Sequence, residues 1–400
     1  MDLTTKIAIA IQSRLNTFLT TRAQSIRDEE WAEQLEGALT DFPENRRAMV
    51  TAVLENQIQY IKNTATADRF AMPSFSTTDQ EQMLFNIAKY YLGELDVHHI
   101  VGVQPMKGPV GLSWAMRYRY EKQEESEEPT VSPFTNGKII KLEVITHPIE
   151  AGSRKWSGFI PIETMQDAQN HIGGLDLKKE LAVAIGSELA YETTKEVMND
   201  LVTMAQHSRT YEWKQTDIDA PSEDVVYVSD QVQNFLIRIN MVASEIARVT
   251  RRGAGNFIVA SPLIVSLLQA QKSMLFVPNK TDEFRSFIVG HAGNLCSSPE
   301  GSPIYKVYNT LCLPESSDAG ETVLVGYKGP NEVDTGYVFA PYVPVMTKGV
   351  VIDPKTLQPG LRLMTRYGKT TFNSPSHDPF FPENGASFYG KVILKGLSFA

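Results

Sequence analysis

An α+β fold is predicted by three features of the chain. Helical periodicity dominates the first half of the 400 residues, and strand-like runs dominate the second. The stretch from Ile160 to Ala205 reads as one over-long helix, interrupted near its start. Residues 112–158 read as two long strands around an acidic tip, a flap with no partner strand of its own. A long rod and a long flap suit an elongated subunit better than a compact one, although the length also fits two or three compact domains.

Composition narrows the function classes. Hydrophobic residues make up 42% and charged residues 21%, enough for a sizeable core. The net charge of −9 argues against gripping nucleic acid through a broad basic face. No apolar run approaches the roughly 18 residues of a membrane helix. Asp2, Gln12, Arg14 and Asn16 break any signal-peptide layout, so synthesis inside the cell is expected. The only cysteines, Cys296 and Cys312, suit a reducing compartment and do not form a zinc site.

Taken in order, residues 4–22 predict an amphipathic helix with Ile7, Ile11, Leu15, Phe18 and Leu19 on one side. A second helix starts after Asp41, with Pro43 in its first turn and Met49, Val50, Val53, Leu54, Ile58 and Ile61 on one stripe. After a loop from Thr64 to Ser76, Thr78 and Glu81 hold the spacing of a capping box and open a third helix through Leu95. Each apolar face needs a partner, and a neighbouring subunit is expected to supply it. The prolines and glycines from Val101 to Leu112 exclude a regular helix. Strands follow over Ser113–Tyr120 and Lys138–Thr146, with glutamates crowded between Glu121 and Glu128. In the long helix, Pro161 fits a first position, Gly173-Gly174 interrupts, and Asp176 caps a restart of about thirty residues, a rod of roughly 45 Å. Ser208–Ala220 reads as polar and irregular. Asp230 opens a regular helix ended by Gly253, with Arg248, Arg251 and Arg252 in the last turn where the helix dipole favours cations. Asn256–Ala260 reads as a buried strand, and Ser261-Pro262 as the N-cap and first turn of a helix to about Ser273. From Leu275 the chain is mixed and turn-rich. Strands are predicted at Tyr305–Leu313, Glu321–Val325, Tyr337–Val345, Arg362–Thr371 and Phe388–Leu397.

No constellation points to an enzyme. Gly253-Ala254-Gly255 stands between a helix and a strand, the reverse of a phosphate-binding loop. There is no Walker loop, zincin motif or nucleophile elbow. His98 and His99 are adjacent and so point apart, while His147 and His171 read as structural. No catalytic residue, cofactor or metal is expected.

Several ordered motifs carry a resemblance. Val101-Gly102-Val103-Gln104-Pro105-Met106 with Gly108-Pro109, Gly111 and Ala115-Met116-Arg117 resembles the major capsid proteins of T-even-type tailed bacteriophages. So do Val325-Gly326-Tyr327-Lys328-Gly329-Pro330-Asn331-Glu332 with Ala340-Pro341-Tyr342-Val343, then Gly255–Ser261 and Thr365-Arg366-Tyr367-Gly368, and the helix around Gln166-Asp167 and Gly174-Leu175-Asp176. Together they cover roughly residues 100–400. The resemblance implies the capsid-shell fold of tailed phages, herpesviruses and encapsulins. Its parts would be an N-terminal helical arm (1–100), an extended hairpin loop (101–158), a peripheral domain on the long spine helix (159–253), an axial domain (254–340) and further peripheral strands (341–400).

The implied function is a structural major capsid protein, assembling as hexamers and pentamers into an icosahedral or prolate virion shell around double-stranded DNA. A vertex paralogue that forms only pentamers is the near alternative, and an encapsulin-type compartment a more distant one. Implied partners are other copies of the chain, scaffold, portal, vertex and decoration proteins, and packaged DNA by non-specific proximity. No membrane is involved, and assembly is expected in the host bacterial cytoplasm. Candidate inter-subunit contacts are the acidic tip, with Glu124, Glu125, Glu127 and Glu128, facing a basic patch next door, and Trp114 and Trp156 at the flap's base. Ordinary core packing accounts equally for the tryptophans. Two departures from the family stand out. Some 35 residues between Tyr120 and Trp156 leave no room for the inserted domain of T-even members. No Leu/Ile-x-Glu processing site precedes residue 90, Phe42-Pro43-Glu44 being the nearest, so residues 1–70 are expected to be retained as a structural arm.

Overall fold

The computed structural model describes residues 29–67, 77–95, 97–121, 139–159, 177–213, 228–270, 275–278, 288–296, 303–314, 320–352, 359–372 and 385–396. The helix expected at residues 4–22, the Gly173-Gly174 interruption and its Asp176 cap lie outside them. Three N-terminal helices come first: α1 (Glu29–Leu39), α2 (Glu44–Ala67) and α3 (Thr77–Glu94). Helix α1 was not foreseen, although Trp31, Leu35 and Ala38 recur at helical spacing; Trp31 meets the Phe85 ring of α3 at 5.9 Å. Helix α2 continues through Ala67, into the expected loop.

These helices do not wait for a neighbouring subunit. From Ala52 to Ile58 every residue of α2 is buried, including Glu55, Asn56 and Gln57. The two amides complete the edge of strand β11 (Tyr337–Ile352). Asn56 Nδ2 donates to the carbonyls of Met106 and Tyr342, both at 2.9 Å, and Gln57 Oε1 accepts the Val345 N–H at 3.1 Å. A buried strand edge must find such partners or carry unpaired polar groups. Helix α3 buries Leu84, Ile87, Ala88, Tyr91 and Leu92. It lies so close to the spine helix α4 (Leu177–Met204) that a Cβ on Gly186 would stand 2.9 Å from Tyr90 Cβ.

The remaining strands are β1 (Gly102–Val103), β2 (Val110–Glu121), β3 (Ile139–Glu150), β4 (Gly152–Phe159), β5 (His207–Glu212), β6 (Phe257–Ala260), β7 (Leu275–Pro278), β8 (Gly290–Cys296), β9 (Pro303–Asn309), β10 (Gly320–Gly326), β12 (Pro359–Thr371) and β13 (Tyr389–Lys395). Helices α5 (Val228–Thr250) and α6 (Pro262–Gln269) complete the set. A seven-stranded sheet runs β5-β13-β10-β6-β9-β8-β7, a four-stranded sheet β1-β11-β12-β4, and β2-β3 pair alone. Phe235, Ile239, Val242 and Ile246 of α5 and Ile264 and Leu268 of α6 share one core with Ile258, Val323 and Val392 of the large sheet. Phe257, Val259, Leu324 and Tyr389 of that sheet join the core formed with α2, α3 and α4.

Four local expectations change. The segment taken as irregular from Ser208 forms β5, whose alternate residues are exposed and therefore polar. With β13 it completes the sheet of β6–β10, so strands expected to be peripheral join the 254–340 region. The flap ladder runs from Val110↔Glu150 to Glu121↔Ile139, while β4 leaves it after Ala151 and pairs with β12. Ser261 Oγ accepts no capping hydrogen bond, so Pro262 alone marks the α6 start.

A charged network fastens the spine helix to the four-stranded sheet. Glu196 of α4 accepts from Arg154 Nε of β4 at 3.0 Å, from Tyr367 Oη, and from Lys369 Nζ of β12 at 2.7 Å. One turn on, Asp200 accepts from Lys369 at 2.6 Å and from Tyr337 Oη of β11 at 2.9 Å. Burial pushes the Glu196 carboxyl upward, but the bonds from Arg154, Lys369 and Tyr367 outweigh it and hold the group at about 2.

Two outcomes follow. Because the folded-state pKa of Glu196 is depressed, its stabilisation is complete above the unfolded value near 4.3 and fades as pH falls towards 2. Glu196→Gln should cost about 1–3 kcal/mol in urea unfolding at neutral pH, a gap that stays constant above about pH 5 and narrows below it. Asn56→Leu, of similar size, should cost about 2 kcal/mol by stranding two carbonyls, and should accelerate amide exchange in β11.

Candidate assembly surfaces

The loop from Gly326 to Thr335 is where the flap is anchored. At Gly326 a Cβ would stand 2.3 Å from the Phe257 ring, so the chain can leave β10 there only as glycine. Asn256 then pairs with Lys328 in both directions, donating to its carbonyl at 2.7 Å and accepting its N–H at 3.1 Å. Lys328 Nζ donates to the His98 carbonyl and to Glu332 at 3.1 Å. Glu332 Oε2 accepts the Val103 N–H at 2.7 Å. Gln104 extends the grip into the flap: Oε1 accepts the Trp114 N–H at 3.0 Å, and Nε2 donates to the Trp114 and Glu332 carbonyls at 2.8 and 3.2 Å.

Two arginines finish the clamp. Arg252, read from sequence as a dipole-matched helix end, has a side chain only 3% exposed; it pairs with Asp334 and donates to the Met116 carbonyl of β2 at 2.6 Å. Its position follows from Arg251, whose φ of 51° is the left-handed turn that ends α5 two residues before Gly253. Arg117 donates to the Thr335 carbonyl at 2.9 Å, with its guanidinium 4.6 Å from the Phe388 ring centre and 5.7 Å from that of Phe372. The Met116 N–H meets the Val333 carbonyl at 3.0 Å.

The flap therefore has two unlike faces. Its inner face, with Ser113, Ala115, Arg117 and Ile149, is buried; Ile149 sits where a Cβ on Gly368 would stand 2.2 Å away. Its outer face exposes Val110 (66%), Leu112 (57%), Val144 (45%) and Trp114 (37%). The register aligns Leu112 with Pro148, Trp114 with Thr146 and the buried Met116 with Val144, so the exposed Leu112, Trp114 and Val144 lie on one side of the ladder. Val110 and Leu112 were not singled out from sequence, although their alternation with Trp114 carried the signal.

Trp114 thus lies on the outer strip. Trp156 does not stand at the flap's base. It lies on β4 opposite Leu363 and packs against the central core, because β4 has already crossed into the other sheet. Glu124, Glu125, Glu127 and Glu128 lie outside the described residues, between β2 and β3. The His98 and His99 rings, expected to point apart, lie 3.8 Å centre to centre, and His99 stacks on Tyr308 at 5.5 Å. Cys296 and Cys312 are buried, and burial pushes the Cys312 thiol up to about 11, away from reactivity. Among the described residues no group of three or more His, Cys, Asp and Glu could hold a metal ion, and no helix is long and apolar enough to cross a membrane.

Comparison with known proteins gives this geometry a setting. The family model of the major capsid protein Gp23 matches residues 78–138 and 125–389. The major capsid protein of Vibrio phage KVP40 is 30% identical over 280 residues, covering 62% of this chain and 51% of that protein. That of Enterobacteria phage T4 is 30% identical over 236 residues, covering 55% and 42%. The chain thus spans about half the length of these curated relatives. Among solved structures, a chain from Mycobacterium phage Bobi aligns with TM-score 0.44 and 13% identity over 75% of this chain and 90% of its own. One from the asymmetric unit of the bacteriophage PhiM1 mature capsid aligns with TM-score 0.41 and 12% identity over 74% and 85%. Since the family match runs through the clamp, the flap strands, the spine helix and both sheets, this α+β chain belongs to the Gp23 family of major capsid proteins, the structural shell proteins of tailed phages.

Proposed function

We propose that the chain forms hexameric and pentameric capsomers that close into an icosahedral or prolate shell around phage double-stranded DNA. Its work is association, with no chemical turnover. The observation that carries this reading is the outer strip of the flap, clamped in place yet exposed. A two-stranded ladder is marginal in water, and half of the large hydrophobic side chains found exposed among the described residues lie on it. A neighbouring copy covers this strip in the assembled shell. The net charge of −9 suits a container in which packaged DNA slides without sticking. Scaffold, portal, vertex and decoration proteins complete the partner set, with assembly in the bacterial cytoplasm.

The N-terminal region stays with the subunit in this reading. Helix α2 supplies Asn56 and Gln57 to the edge of β11, so its removal would uncover a buried ladder.

Sedimentation velocity with imaging of each peak tests the proposal. Wild type should give rings or closed shells. Leu112→Ser combined with Val144→Ser removes two apolar side chains worth about 1–2 kcal/mol each on burial, and should weaken association by at least tenfold with the monomer's melting temperature unchanged. A wild type that stays monomeric at every salt and concentration, or a double variant that assembles like wild type, would overturn it. Intact mass of subunits from mature particles should show residues 44–67 still present; a loss that includes them would refute their structural place.

A further inference from the structure

We propose that the free edge of β5, with Ile237 and Met241 of helix α5 beside it, pairs two-fold with the same edge of a second copy of this chain. The contact is separate from the flap strip, and only its place in a shell, between one ring and the next, rests on the reading above. The other edges of the two larger sheets are guarded. Strand β1 has two residues, β7 has four and ends in Pro278, β4 carries Arg154 and Lys155, and Asn56 and Gln57 finish β11. Strand β5 lacks such guards. Its six residues pair with β13 without a proline or a register shift, and its one arginine, Arg209, is tied to Glu245 of α5. The Trp213 N–H donates to the Lys395 carbonyl at 2.8 Å, so odd-numbered residues turn their main-chain groups to β13. Ser208, Thr210 and Glu212 therefore turn theirs outward, and all three are exposed. An antiparallel partner centred on Thr210 sets Thr210 opposite Thr210 and Ser208 opposite Glu212, using every outward group in about six hydrogen bonds. Arg209 then faces Tyr211, and no two like charges stand opposite each other.

Helix α5 supplies a second, independent match. Val242 sits on Gly390 of β13, Glu245 reaches Arg209 and His207, and Asn234 and Arg238 reach Tyr211. The helix thus runs antiparallel to β5, and Met241, between Arg238 and Glu245 on the same stripe, stands level with Thr210. Ile237 and Met241 are exposed, two of the four large hydrophobic side chains found so off the flap among the described residues. Strands about 4.8 Å apart place the two copies of α5 roughly 10 Å apart across the axis, the spacing of packed helices. The same axis brings Met241 to Met241 and the exposed Arg238 to Glu245 of the second copy, a charge complement at each end of an apolar centre. A patch that matches itself in main chain, apolar centre and charge is what a two-fold contact requires.

The test places a thiol at the axis. Cys296 and Cys312 are buried, so Met241→Cys adds the one exposed thiol of the full chain. Mild oxidation should give a disulfide-linked dimer, and adding Thr210→Pro should cut its yield about tenfold. Proline there removes an outward N–H and leaves the β13 ladder intact, so the melting temperature should hold. In the chain carrying Leu112→Ser and Val144→Ser, whose flap contact is weakened, sedimentation velocity should still show a monomer–dimer equilibrium. Met241→Glu, at an exposed position, sets two carboxylates face to face and should shift that equilibrium about tenfold towards monomer. No linked dimer on oxidation, or a dimer that neither Thr210→Pro nor Met241→Glu weakens, would overturn the contact. Wild type that never assembles would refute the shell reading, and the oxidation experiment would still decide the β5 edge.

Discussion

The clamp under the flap is the interaction on which the rest of the subunit depends. A two-stranded ladder has no core, and this one pairs with neither of the larger sheets among the described residues. It is held because Gln104 reads both backbone groups of Trp114, Val333 receives the Met116 N–H, and Arg252 ties the Met116 carbonyl to Asp334. Each contact comes from a different part of the chain. Arg252 is the demanding member, because a buried guanidinium tolerates its site only with a carboxylate and carbonyls around it. Asp334 in turn is fixed by the turn in which its carbonyl accepts the Gly329 N–H. The flap's outer strip can therefore stay apolar and exposed without collapsing onto its own subunit.

The same economy of polar groups runs through the centre. Helix α2 is buried on all sides over seven residues and uses its amides to finish a strand edge, while α4 offers two carboxylates, one turn apart, to the neighbouring sheet. Both helices are thus positioned by hydrogen bonds as well as by apolar area. A helix held only by area could slide, whereas one held by directional bonds at fixed steps cannot do so without stranding charge. The four-stranded sheet, the spine and the flap root consequently form one mechanical path through the subunit.

Much of this plan was legible in the chain, and the failures have physical causes. Spacing of Leu189, Val197, Met198 and Leu201 marks the spine, and the β2 and β3 strands show in their own composition. The departure of β4 does not show, because only Ala151 separates it from β3 and its direction is set by pairing with β12. Strand β5 looks irregular since one of its faces is solvated, leaving no apolar run to find. In α2 the run Glu55-Asn56-Gln57 resembles a solvated face, yet it points at a strand edge nearly three hundred positions away in sequence. The buried pairing of Arg252, beyond its place at a helix end, is hidden for the same reason, since its acid partner lies at position 334. Periodicity reports which residues leave water; it is silent on which buried polar groups find each other.

That silence explains why the conspicuous motifs looked so unlike chemistry. Gly102, Gly326, Gly329 and Gly368 are places where a Cβ would strike Glu332, Phe257, Asp334 or Ile149, so their glycines record close backbone approach and not ligand binding. The polar residues beside them, Gln104, Asn256, Lys328 and Glu332, are consumed by one another and by main-chain groups. A site built for turnover leaves polar groups aimed at empty space for a substrate to meet. Here they are spent on holding a ladder still, and an apolar strip on that ladder stays exposed.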